Sequence, residues 1–355
     1  APTRSVVLNV AAGLYTNDCS LPGTNVWTLR LNDRSNLRVL GAGPEQSIIA
    51  PGDKVWPLVR GESDRVPSLC PLELRKPKNV EFAGFTILAT NPPAEVLTNV
   101  WDSFCTIVGI DHADGLYLHH LYLNGSYTGP VYNADLDATD PNWGNWIYYA
   151  MSYRGMTGPR GLRLEHLLVR GGMRAFAHNN YGYTDDPANT SVVRITHCTF
   201  VEQANPGGGA YGVTIHNPGD HYAPGYIVSS SILGDIPVST LPDSTEAYGL
   251  TCDVDGTGGG DLQMLAISNQ VWSIGVPPPG DTWWNDFVIW DDGMGNDLNF
   301  TNEPPQFLST PLPYSTDIAT PYGDRDVGWH VIPEPTTLLM LAGVMLCRRG
   351  ARTRS

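Results

Sequence analysis

Residues 78–87 read Lys78-Asn79-Val80-Glu81-Phe82-Ala83-Gly84-Phe85-Thr86-Ile87. Counted from Val80, apolar side chains stand at relative positions 0, 2, 5 and 7. A step of 2 is strand alternation, in which successive side chains point to opposite faces. The central step of 3 breaks that alternation once, as a corner between two short strands does. An amphipathic helix would give steps of 3 and 4 throughout.

The same offsets recur in Leu116, Leu118, Leu121 and Leu123, in Leu162, Leu164, Leu167 and Val169, and in Val193, Ile195, Cys198 and Phe200. Weaker copies are Tyr226, Val228, Ser231 and Leu233, then Leu262, Met264, Ile267 and Asn269. Copies begin 31 to 46 residues apart, which suits a three-strand coil with loops of variable length. No single coil can bury its inner face alone, so stacked coils must share one aliphatic column. Residues Val6 to Tyr15 and Leu37 to Ile49 read as the opening coils. The expected fold is therefore all-β, a right-handed parallel β-helix of three sheets over residues 1–330. A β-sandwich would need antiparallel hairpins, yet Asn-Gly occurs once, at Asn124-Gly125, after a strand pair.

Composition agrees with that pattern. The 355 residues are 41% hydrophobic, enough for a substantial core, and only 16% charged, while 38 glycines and 29 prolines favour short strands and turns over charged helices. Two stretches carry a family resemblance. Asn36-Leu-Arg-Val-Leu-Gly-Ala-Gly-Pro-Glu-Gln-Ser-Ile-Ile49 and residues 78–87 resemble the first turns of pectin-lyase-like β-helices. That resemblance extends over residues 5–330 and implies the fold, not one chemistry, because the scaffold hosts many activities.

The end of the chain has a different character. Pro333-Glu334-Pro335 precedes an uncharged, mostly apolar run from Thr336 to Cys347, which is followed by Arg348, Arg349, Arg352 and Arg354. As a helix the run would span roughly 18 Å, short of a bilayer core of about 30 Å. Triplet, run and basic end, in that order, resemble the PEP-CTERM sorting signal of Gram-negative-type bacteria. The resemblance implies that residues 331–355 form a sorting segment with a short hydrophobic helix. It implies transient membrane association through 336–347, an exosortase as partner, and release of the body to the cell envelope, surface or matrix. Export also calls for an N-terminal signal peptide, which is not visible before Ala1.

The net charge is -15, and setting aside Glu334 and the four tail arginines leaves 35 acids against 17 bases. Such a body repels nucleic acid and anionic lipid, and polyuronate as well unless cations bridge the contact. Cysteines stand at 19, 70, 105, 198, 252 and 347 without a Cys-x-x-Cys pair. Most read as small buried hydrophobes, with one or two disulfides open in an oxidising compartment.

Candidate sites are few. His120, His166 and His197 share one corner position in three successive repeats. They read as a structural ladder serving turn backbone groups, with a metal row as the alternative. Asp253, Asp255 and Asp261, with Gly258 between them, have the oxygen spacing of an EF-type calcium loop, but Met264 stands where its last glutamate belongs. A plain glycine-rich turn remains the other reading, and Ca2+ is the one cofactor the sequence raises. Asp291, Asp292 and Asp297 form a weaker loop of the same kind.

For carbohydrate chemistry the available groups are Asp185, Asp186, Asp220 and His221. Trp101-Asp102 and Asp111-His112 resemble fragments of a pectate lyase pattern whose arginine motif is missing, and Arg194-Ile195-Thr196 lacks the lysine of the polygalacturonase element. Aromatic clusters at Trp143, Trp146, Tyr148 and Tyr149 and at Trp283, Trp284 and Trp290 suit either sugar stacking or packing under loops. The expectation is an exported surface or matrix protein that interacts with polysaccharide and has no identifiable catalytic constellation. The alternative is a polysaccharide lyase or glycoside hydrolase working in a groove on one parallel sheet.

Overall fold

The computed structural model describes residues 5–17, 28–51, 70–89, 105–125, 147–154, 161–172, 174–179, 192–203, 210–217, 225–236, 247–254, 264–267, 269–274 and 328. Within them the chain forms twenty strands and no helix. They fall into successive repeats. The first holds β1 (Val6–Asn9) and β2 (Gly13–Asn17), and the second β3 (Leu29–Asn32), β4 (Ser35–Leu40) and β5 (Ser47–Pro51). Next come β6 (Leu72–Arg75) with β7 (Lys78–Leu88), β8 (Cys105–Asp111) with β9 (Asp114–Gly125), and β10 (Ile147–Arg154) with β11 (Arg163–Gly171). Then follow β12 (Arg174–Asn179), β13 (Val192–Thr196) and β14 (Thr199–Val201), and β15 (Ala210–Asn217), β16 (Gly225–Ser229) and β17 (Ile232–Ile236). The last repeat has β18 (Ala247–Val254), β19 (Met264–Ile267) and β20 (Gln270–Ile274).

Each strand pairs with its counterpart one repeat away, and every pairing among the described residues is parallel. One sheet has seven strands, in the order β18-β15-β12-β10-β8-β6-β3. The other has thirteen, because the long strands β7, β9 and β11 run through a corner and join two parallel arms. One arm follows β1-β4-β7-β9-β11-β13-β16-β19, and the other links β2, β5, β14, β17 and β20 to the far halves of the long strands. No hairpin occurs among the described residues, which removes the sandwich alternative.

The repeat positions fix the register. Val80, Phe82, Phe85 and Ile87 lie opposite Leu116, Leu118, Leu121 and Leu123, and Leu164, Leu167 and Val169 continue the rows. All of these side chains are at most 1% exposed and belong to one continuous core. The opening repeats pair as the sequence predicts, Val6 with Leu37, Leu8 with Val39 and Tyr15 with Ile49. At this end of the described stack Val6 is 54% and Leu8 48% exposed, since no further described strand lies beyond β1.

One copy of the pattern is corrected. Tyr226 pairs with Met264, Val228 with Ala266 and Leu233 with Val271, so the last repeat reads Met264, Ala266, Asn269, Val271, two residues on from the expected Leu262, Met264, Ile267, Asn269. The apolar pattern misleads here because a polar pair fills the inner corner. Asn269, 2% exposed, accepts the Ser231 backbone N–H at 3.0 Å and donates to the Val228 carbonyl at 2.8 Å. Satisfied on both sides, it takes the place of an aliphatic side chain. The expected C-terminal segment 331–355, with its helix, lies outside the described residues. Of the residues beyond β20, Gly328 is described; its N–H donates to the Ser230 carbonyl at 2.8 Å, just before β17.

Corners turn on left-handed residues. Asp33, Lys76 and His112 have φ of 49–51°, and Gly84, His120, His166, His197 and Ser230 occupy the next corner at φ 77, 50, 51, 51 and 49°. A left-handed residue interrupts the alternation, so Leu118 and Leu121 both face inward although three residues apart. Gly41 and Gly84 bring two backbones together at this corner. A Cβ on Gly84 would lie 2.8 Å from the Gly41 carbonyl oxygen, and one on Gly41 would run into the Gly84 carbonyl. Gly41→Ala is expected to lower stability by about 3 kcal/mol, an overpacking cost against backbone that cannot rotate away. Chemical denaturation of the variant beside the parent checks it, and an unchanged midpoint would refute this packing.

Candidate functional site

The repeat that sends 0 and 2 inward sends positions +1 and +3 outward. On the outer face of the arm through β4, β7, β9 and β11 this builds two rows. Arg38 pairs with Glu81, Glu81 with Tyr117 and Tyr117 with Arg163; beside them Ala83 pairs with His119 and His119 with Glu165.

These side chains form one connected network. Arg38 donates to Glu81 from both Nε and Nη2, at 2.6 and 2.9 Å, in the bidentate geometry that makes arginine–carboxylate pairs strong. His119 Nε2 lies 3.2 Å from Glu81 Oε1. Tyr117 Oη donates to Glu165 at 2.5 Å, and Arg163 donates to the same carboxylate at 3.0 Å while its guanidinium sits 4.3 Å above the Tyr117 ring. The other contact of that ring is His119, stacked at 4.2 Å.

Charge states follow from this geometry. The Arg38 hydrogen bonds hold the Glu81 carboxyl below the ordinary range, against partial burial and with help from His119. Burial lowers His119 despite the pull of Glu81 and Glu165, so the ring is neutral near pH 7. Burial alone would raise Glu165, but the hydrogen bond from Tyr117 and the charge of Arg163 outweigh it and leave the carboxyl lowered. Burial and the Glu165 carboxylate push the Tyr117 phenol up. A neutral His119 that donates from Nε2 to Glu81 must accept at Nδ1. His120 Nδ1, 2.7 Å away, therefore carries the proton between them. Both nitrogens of His119 are thus engaged, and neither Glu81 nor Glu165 stands apart as a general acid or base.

Beside this face runs the corner column. The His120 and His166 rings stack at 4.9 Å and those of His166 and His197 at 5.0 Å. Histidine is among the residues enriched in left-handed backbone, and parallel strands about 4.8 Å apart bring equivalent side chains to stacking distance. Two imidazole nitrogens share one zinc-like ion only within about 4 Å, given bonds of about 2.0–2.1 Å. Among the described residues no three His, Cys, Asp or Glu gather as a metal site.

A groove of about 440 Å³ opens where this column meets the polar face. Asn9 and Val10 line one end, His119 and His120 the other, and Gly41, Ala42, Glu81 and Gly84 lie between them.

The remaining sequence candidates are dispersed or undescribed. Asp185, Asp186, Asp220 and His221 lie outside the described residues, as do Asp255, Asp261, Pro333, Glu334 and Pro335 and the tryptophans of both aromatic clusters; Tyr148 and Tyr149 lie in β10, with their side chains outside the description. Asp253 lies one residue before the end of β18, opposite His216, with its side chain outside the description. Asp111 and His112 bond each other at a corner, and Asp111 also pairs with Arg75 at 3.3 Å. Cys70 and Cys198 are buried thiols, and burial pushes Cys198 up to about 12, which removes it as a nucleophile. The network residues Arg38, Glu81, Tyr117, His119, Arg163 and Glu165 were not singled out in the sequence. The signal was present, since they fall at +1 and +3 of the same repeat that identified the core.

Comparison with family models, with curated proteins and with solved structures finds no match for this chain.

Glu81 and His119 both sit below their ordinary values in the folded chain, so the unfolded chain binds more protons and stability rises with pH. Their contribution is complete above the ordinary values of 6.5 for histidine and 4.5 for glutamate and is lost as pH falls through the lower folded values. Thermal melts between pH 7 and 3 should show a shallower acid loss for Glu81→Gln than for the parent below 4.5. Parallel curves would contradict the assignment.

Proposed function

We propose that this chain is an exported surface or matrix protein of a Gram-negative-type bacterium, with a polysaccharide-binding body at residues 1–330 and a PEP-CTERM sorting segment at 331–355. In this reading the parallel sheets wind as one right-handed β-helix of three faces. The supporting observation is the parallel pairing of each strand, from β1 to β20, with its counterpart one repeat away. Three arms per repeat, separated by left-handed corners, are what such winding needs.

Binding is favoured over catalysis by the state of the outer face. Its acids and imidazole are engaged with one another, whereas a hydrolase or lyase needs a converging acid and base that a substrate can reach. A rigid sheet face lined with hydrogen-bonding groups, beside a groove, suits recognition of a long hydroxylated chain. The net charge of -15 argues against nucleic acid and anionic lipid as partners.

Purified full-length protein, presented with neutral and acidic polysaccharides with and without Ca2+, should bind at least one and generate no new reducing or unsaturated ends. New ends would establish an enzyme, and absence of binding across the panel would remove polysaccharide as ligand. For the tail, expression in an exosortase-bearing host should release a shortened chain, and Glu334→Ala should retain the full-length form in the membrane fraction. Equal processing of both chains would sink the sorting assignment.

A further inference from the structure

The histidine column runs onto bare rungs, Gly84 first and Gly41 beyond it. Register carries the corner position from His120 back to residue 84, since Ala83 pairs with His119 and Phe85 with Leu121. His120, His166 and His197 fill successive rungs with rings at 4.9 and 5.0 Å, and Gly84 has no side chain. The glycine is demanded by the backbone. Its φ is 77°, and a Cβ there would press on the Gly41 carbonyl at 2.8 Å. The close approach of Gly41 and Gly84 thus keeps side chains off the floor of the 440 Å³ groove, and His120 lines it one rung away.

The chemistry around that rung selects among rings. Glu81 is an ionised acceptor, His119 is held neutral, and the Asn9 amide can donate and accept. The charge of Arg38 is matched by Glu81 through two hydrogen bonds, so the groove has no surplus positive charge to hold a carboxylate or sulfate. Arg38 and His119 already donate to Glu81, and a purely apolar ring would cover its remaining acceptor capacity without offering a donor. A ring bearing several hydroxyls meets both demands, with donors for Glu81 and a C–H face for the imidazole.

We infer that the groove over Gly84 is a subsite for uncharged pyranoses of a neutral glycan, one seated over Gly84 against His120 with hydrogen bonds to Glu81, the glycan continuing over Gly41 toward Asn9. This rests on the polysaccharide-binding reading above and adds the place and the class of sugar.

The test uses purified full-length protein with neutral hexaoses of glucose, mannose and galactose and with oligogalacturonate as probes. Titration calorimetry measures affinity, and imidazole proton resonances, assigned for His120 by comparison with His120→Asn, locate the ligand. Ala42→Trp places a bulky ring at the groove without altering a core position, and Asn9→Ala, on the exposed end of β1, serves as a second variant should the first fold poorly. A neutral hexaose is expected to bind and shift the His120 resonance, and each variant is expected to weaken it by about tenfold. A hexaose that binds equally well to both variants would overturn the subsite and leave the polysaccharide reading standing. Preference for oligogalacturonate at His120 would overturn the neutral class, and no binding of any saccharide would remove the general reading together with this one.

Discussion

The structure depends on the parallel backbone ladder that holds each strand against its counterpart 25 to 46 residues away, as Leu37 is held to Val80, Val80 to Leu116, Leu118 to Leu164 and Leu164 to Ile195. Hydrogen bonds between adjacent repeats keep the register, and the register turns a one-dimensional pattern into columns. Inward columns become the core of leucine, valine and phenylalanine. Outward columns become rows of like-placed polar groups, and corner columns become stacks. A slip of one residue would send Leu118 and Leu121 outward, so burial enforces the register that the ladder expresses.

The corner is where this constraint produces chemistry. A left-handed residue is needed to bring two inward positions three residues apart, and the chain meets that need differently along its length. Glycine serves at 84, histidine at 120, 166 and 197, and serine at 230. Histidine costs backbone strain but stacks on itself, whereas glycine costs none and leaves the floor of a groove. The change from one solution to the other lies between β7 and β9, beside the network of Arg38, Glu81 and His119.

That network also bears on the proposed binding function. Charge-assisted bonds fix Glu81 and Glu165, and the neutral His119 spends one nitrogen on Glu81 and the other on His120. Such mutual satisfaction rigidifies a surface at the expense of reactivity. A face of this kind presents a fixed pattern of acceptors and donors, the requirement for holding an extended hydroxylated chain.

By itself the sequence determined the parallel all-β repeat, because offsets of 0, 2, 5 and 7 have one geometric reading and recur in aliphatic residues that must be buried together. It also located the histidine column, since those residues share one offset. It misplaced the last repeat, where Asn269 bonds the Ser231 N–H and the Val228 carbonyl inside the corner and breaks the apolar pattern that composition alone can follow. Only the tertiary structure decided which outward residues meet. Glu81 and His119 are 38 residues apart and Tyr117 and Glu165 are 48 apart, and loops of unequal length hide that adjacency until backbone pairing aligns the rows. The groove likewise awaited the fold, because it arises from the approach of Gly41 to Gly84 across two repeats, a contact of backbone with backbone that no side-chain pattern records.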